Sequence, residues 1–73
     1  MIVSNVGLIL QQLLAQTADT WKLHPDVLRG PSRRADIVGA RRAFVLAARS
    51  AGINNSQIAR FLNRHPVTIR RVA

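Results

Sequence analysis

A chain of 73 residues with a formal charge of +8, ten arginines and no cysteine has room for one small domain, 1–73. Neither a disulfide framework nor a cysteine-based zinc site can supplement its core, which should bury only about 60% of the unfolded surface. Three aspartates, two histidines, one lysine and no glutamate cannot assemble a nucleophile–base constellation, so an enzyme, a cofactor and a metal are not expected.

No apolar run approaches the ~20 residues of a membrane span, so no membrane partner is expected. The first ten residues lack the basic start and small-residue cleavage site of a signal peptide, so the expected compartment is the cytoplasm, at the nucleoid. From Ile2 to Ala18 the apolar residues follow helical spacing. Ile2, Val3, Val6, Ile9, Leu10, Leu13, Leu14 and then Trp21 fall in one broad stripe. Ser4 is a candidate cap, and Gly7 weakens the helix by about 1 kcal/mol relative to Ala. Leu8, Ala15 and Ala18 lie off the stripe, either as ordinary exposed residues or as a small contact through which the chain dimerises.

Residues 21–31, WKLHPDVLRGP, read as a connection in which Pro25 opens a short turn of helix and Gly30-Pro31 stops it. His24 and His65 both precede proline and lack a ligand-spaced partner, which favours capping or turn roles. Ser32 then suits the N-cap of a long helix from Arg33 or Arg34 to about Ala51, with Gly52 as its stop. Ile37, Ala40, Phe44, Ala47 and Ala51 share its inner face. Arg34, Arg41, Arg42 and Arg49 group on another, and Asp36 is the only acid near enough to neutralise them. That stripe is therefore expected to meet phosphates.

Residues 55–72, NSQIARFLNRHPVTIRRV, carry the pattern of a helix-turn-helix. Asn54 with Gln57 three residues on resembles a capping box. Ile58, Leu62, Ile69 and Val72 would join two helices, Ala59 lets them cross closely, and Asn63 tolerates the left-handed turn between them. Pro66 suits the first position of the second helix, about 66–72. Val67, Thr68, Arg70 and Arg71 then face outward, where a helix enters the major groove of DNA. Arg70 is placed for the O6 and N7 of a guanine, and Val67 for a thymine methyl. Strand signals are absent, so the fold expected is all-α, with four to five helices including this pair.

The distribution of charge agrees. Residues 1–28 hold Lys22 against Asp19 and Asp26, whereas residues 29–73 hold all ten arginines against Asp36. Guanidinium forks match phosphate oxygens bidentately, so double-stranded DNA is the expected partner. The competing readings are a solvated basic face, attraction to an anionic membrane, and a protein-interaction or dimerisation module. In the last, the apolar N-terminal helix pairs while the arginines only solubilise.

From about Val6 to Val72 the chain resembles the C-terminal DNA-binding domain of the bacterial replication initiator DnaA. WKLHPDVLRG at 21–30 looks like that family's aromatic-x-apolar-x-x-acid-x-Leu entry. SRRADIVGARR at 32–42 resembles its basic loop followed by Ile-Val-x-Ala-Arg-Gln, and IARFLNRHPVTI at 58–69 resembles its signature over the helix pair. The resemblance implies that Arg33 and Arg34 reach the minor groove and that Arg41, Arg42 and Arg49 contact the backbone. It also matches Arg64 to the arginine of the turn and Thr68 to a threonine of the recognition helix. At 65–67 the chain reads His-Pro-Val where the family has Asp-His-Thr, and it has no Gly-rich phosphate loop for an ATPase. The expectation is a small stand-alone regulator of transcription or replication, or a fragment, ending where the family's closing helix would follow.

Overall fold

The computed structural model describes residues 5–71, which form five α-helices and no strand. The inward places expected for Ile2, Val3 and Val72, and the cap expected at Ser4, lie outside the described residues. Helix α1 (Val6–Thr20) buries Leu10, Leu14 and Ala18, with Val6 and Leu13 partly buried beside them. This turns the expected stripe: Ile9 is 37% and Trp21 41% exposed, while Ala18 is 1% exposed. Positions four apart advance by about 40° around a helix, so a face followed through 10, 14 and 18 drifts away from Ile9. A methyl group is enough to fill the contact at Ala18, because α1 packs on α2, α3 and α4.

Three helices close in the same way, with a left-handed residue whose N–H and that of its successor bond back to the last turn. At the end of α1 this residue is Lys22 (φ 57°), with Lys22 N–H to Asp19 O at 3.1 Å and Leu23 N–H to Ala18 O at 2.8 Å. Gly52 (φ 85°) closes α3 (Ala35–Ser50), where the Ile53 N–H reaches Ala48 O at 3.1 Å. Asn63 (φ 58°) closes α4 (Asn55–Leu62), where the Arg64 N–H reaches Ala59 O at 2.8 Å. The residue type announces the turn at Gly52 and Asn63 but not at Lys22.

Two short helices open alike. The His24 Nδ1 accepts the Asp26 N–H at 3.1 Å ahead of α2 (Pro25–Arg29), and the His65 Nδ1 accepts the Val67 N–H at 3.2 Å ahead of α5 (Pro66–Arg70). Each has proline at its first position and one fully buried side chain, Leu28 or Ile69. Asn54 caps α4 as expected, its Oδ1 accepting the Gln57 N–H at 2.9 Å.

Ser32 does not cap α3. Arg34 holds that position in extended backbone (ψ 143°), and Ser32 Oγ instead accepts the Arg34 N–H at 3.3 Å, which bends the loop just before the helix begins. The core face of α3 is Ile37, Ala40, Phe44, Val45 and Ala48, while Ala51 is exposed and Ala47 half-buried. The shift toward Val45 and Ala48 follows from where the chain comes back: Val45 lies across a cleft from α5, and Ile53 folds under the end of α3. Phe44 is fully buried with its ring centroid 5.8 Å from that of Phe61. Ile58, Leu62 and Ile69 complete the core, and no polar side chain is buried among the described residues. None of the described helices is long and apolar enough to cross a membrane.

Candidate nucleic-acid interface

Helix α5 packs mainly on α4, reached through residues 63–65, and Ile69 fixes its rotation by entering the core. With Ile69 inward, Val67, Thr68, Arg70 and Arg71 are all exposed, as the spacing requires. Val67 is 37% exposed, a β-branched apolar side chain held at the surface by the His65 cap and Pro66.

The arginines divide into two kinds. Arg41, on α3, is half-buried and donates from Nε to Leu28 O at 2.9 Å and from Nη2 to Gly30 O at 3.0 Å and Ser32 O at 3.1 Å. One planar fork thus satisfies a carbonyl of the last turn of α2 and two of the loop between α2 and α3, none of which continues into a helix ladder. Arg64 joins it from the α4–α5 turn, its Nη2 donating to the same Gly30 carbonyl and its Nη1 lying 3.5 Å from Leu62 O and Asn63 O. Burial first, and then the neighbouring Arg64 charge, hold Arg41 below the ordinary guanidinium value. Arg49 ties three helices together, with Nε to Asn55 Oδ1 at 3.0 Å and Nη2 to Ile69 O at 2.6 Å. These three arginines, all expected among the DNA-binding residues, brace the backbone that carries the rest.

The others face solvent. Arg33, Arg42, Arg70 and Arg71 are exposed. Arg34 is exposed as well, but its Nη2 lies 2.9 Å from Asp36 Oδ2, so the one acid near the expected stripe does meet it. Between α3 and α5 runs a cleft of about 310 Å³ lined by Val38, Arg41, Arg42, Arg64, Thr68 and Arg71, with Val45 and Ile69 beneath. A second hollow continues from it past Arg41, Arg64 and Thr68 to Ser32 and Arg33. The two share Arg41, Arg64 and Thr68 and together make a trough from Arg33 to Arg71, and among the described residues no acidic side chain lines it. A trough of one sign with low-dielectric walls concentrates anions.

Two arginines outside the expected set are also placed. Arg29 stacks over the Phe61 ring, 4.8 Å from its centroid, and donates to Phe61 O at 2.9 Å, so α2 is clasped to α4. Arg60 is exposed beside it, in a separate hollow shared with Asp26 and Asn63. The sequence signal that links Arg29 to Phe61 is absent, since 32 residues separate them. Among the described residues no group of three or more His, Cys, Asp or Glu side chains gathers for a metal ion. No protein-family model, no curated protein and no solved structure matches the chain.

Proposed function

We propose that the chain is a double-stranded DNA-binding module in which α5 enters the major groove as the second helix of a helix-turn-helix. The observation that carries this reading is the trough of arginines, with no acid among the described residues that line it, beside an α5 whose outward residues are Val67, Thr68, Arg70 and Arg71. Arg33 and Arg34 reach the minor groove and backbone from the loop, Arg42 and Arg71 meet phosphates, and Val67, Thr68 and Arg70 face base edges. Arg41, Arg49 and Arg64 hold the loop and α5 in the pose that presents them. The role follows as a small DnaA-like regulator of transcription or replication, acting at the nucleoid.

The test is a duplex titration followed by fluorescence anisotropy across a range of salt concentrations. Four or five phosphate contacts give a slope of log K against log[salt] of roughly −4, at about −0.9 per phosphate. A slope near zero overturns the proposal. A second reading has one observation in its favour: Leu8 is 56% and Ile9 37% exposed on α1, an apolar surface suited to a second copy of this chain. Sedimentation of Leu8→Glu against the parent protein checks it, a change in mass being its signature.

A further inference from the structure

The cleft between α3 and α5 has chemistry that backbone contact alone does not use. At about 310 Å³ it is of the size that holds a small molecule, at the lower end of the usual ~300–1,000 Å³. Val45 and Ile69 lie buried beneath its base, and Val38, 45% exposed, is the apolar side chain within reach. The stems of its arginines add further apolar surface below their charged heads. Around that apolar base stand Arg41, Arg42, Arg64 and Arg71 with the Thr68 hydroxyl, and among the described residues no carboxylate lines the space. Arg41 and Arg64 are drawn onto one carbonyl, that of Gly30, so two like charges are held together without a counter-charge. Arg41 uses Nε and Nη2 there, and its Nη1 makes no hydrogen bond among the described residues.

We propose that this cleft binds a small phosphate monoester carrying a compact apolar body. The dianion answers two adjacent positive charges better than a singly charged carboxylate does, and its three terminal oxygens can accept from the Arg41 Nη1 that the carbonyls leave unused, from the exposed Arg71 and from the Thr68 hydroxyl. The apolar body covers Val38 and stacks on an arginine face. A duplex phosphodiester offers the same oxyanion chemistry, flanked by sugars and with one charge. Occupied, the cleft withholds Arg71 and Thr68 of α5 from a duplex, so the ligand and DNA compete. The proposal stands apart from the DNA reading, because ligand binding needs only the cleft.

The probe is phenyl phosphate, titrated into the whole labelled chain while backbone amide shifts are followed, with inorganic phosphate and phenol as controls. Shifts are expected to concentrate at residues 38, 41, 42, 45, 64 and 68–71. Phenyl phosphate should bind about tenfold more tightly than inorganic phosphate, the gain from covering some tens of Å² of apolar surface. Arg64→Gln is the direct variant, but Arg64 also holds Gly30 and its loss can unfold the loop. Val38→Asp and Arg71→Gln change exposed residues at the cleft and should each weaken binding severalfold with the fold intact. Equal affinity for phenyl phosphate and inorganic phosphate, shifts spread over all exposed arginines, or unchanged affinity in both exposed variants overturns the proposal. Duplex titration in parallel separates the two ideas. Duplex binding without a cleft response removes this ligand and leaves the DNA reading, and a cleft response without duplex binding does the reverse.

Discussion

Arg41→Met separates a brace from a phosphate ligand. Methionine keeps an apolar stem of similar reach and deletes the guanidinium, so the Leu28, Gly30 and Ser32 carbonyls each lose a charged donor. Hydrogen bonds to charged groups contribute about 1.5–3 kcal/mol each when buried. Here the site is half-buried and water can reach part of the loop, so each is discounted to about 1 kcal/mol. Relief of the repulsion from Arg64 returns part of that. The expected loss is about 2 kcal/mol, large for so small a domain, and is read from the midpoint of urea unfolding at constant slope. Arg41→Lys should recover only a fraction, because a single ammonium cannot span three carbonyls held by a planar fork. If Arg41→Met unfolds within about 0.5 kcal/mol of the parent while the salt slope of duplex binding falls by a full unit, Arg41 is a phosphate ligand and the bracing argument is wrong.

Phe44→Ala should cost about 3–5 kcal/mol, since it empties the centre of the core, and thermal melts will show whether the domain still folds. Lys22→Gly should stabilise by about 1 kcal/mol by relieving a left-handed lysine, whereas Gly52→Ala should destabilise by a similar amount; the same melts compare them. Arg42→Ala should weaken every duplex alike and reduce the salt slope by about one unit, while Arg70→Ala should relax preference at one base position by about 1–3 kcal/mol. Selection from randomised duplexes reads the difference.

The corner at 63–66 was legible because its residue types are constrained by backbone geometry: Asn63 by a positive φ, Pro66 by a missing N–H, Ile58, Leu62 and Ile69 by burial. The inner faces of α1 and α3 were less so. Periodicity weights each position by its apolarity, and Ala18 and Ala48 weigh little although both are buried. What buries them is the close approach of other helices, a tertiary fact. The arginines show the same limit more sharply. Their spacing says that Arg34, Arg41, Arg42 and Arg49 share a side of α3, but not that this side borders a loop with unpartnered carbonyls. Arg41 turns in to that loop and Arg49 to the Ile69 carbonyl of α5, while Arg42 is exposed.

An imidazole nitrogen can accept a hydrogen bond only while it carries no proton, so the two histidine caps share a condition that the Asn54 cap does not. With Nδ1 taken up by the backbone N–H, the ring hydrogen of each sits on Nε2, so each imidazole caps with one nitrogen and donates with the other. His65 is exposed, so the start of α5 is fixed by a ring that also presents a donor two residues before Val67. His65→Ala would remove both at once: the cap that sets where Val67 and Thr68 stand, and a neutral donor beside them.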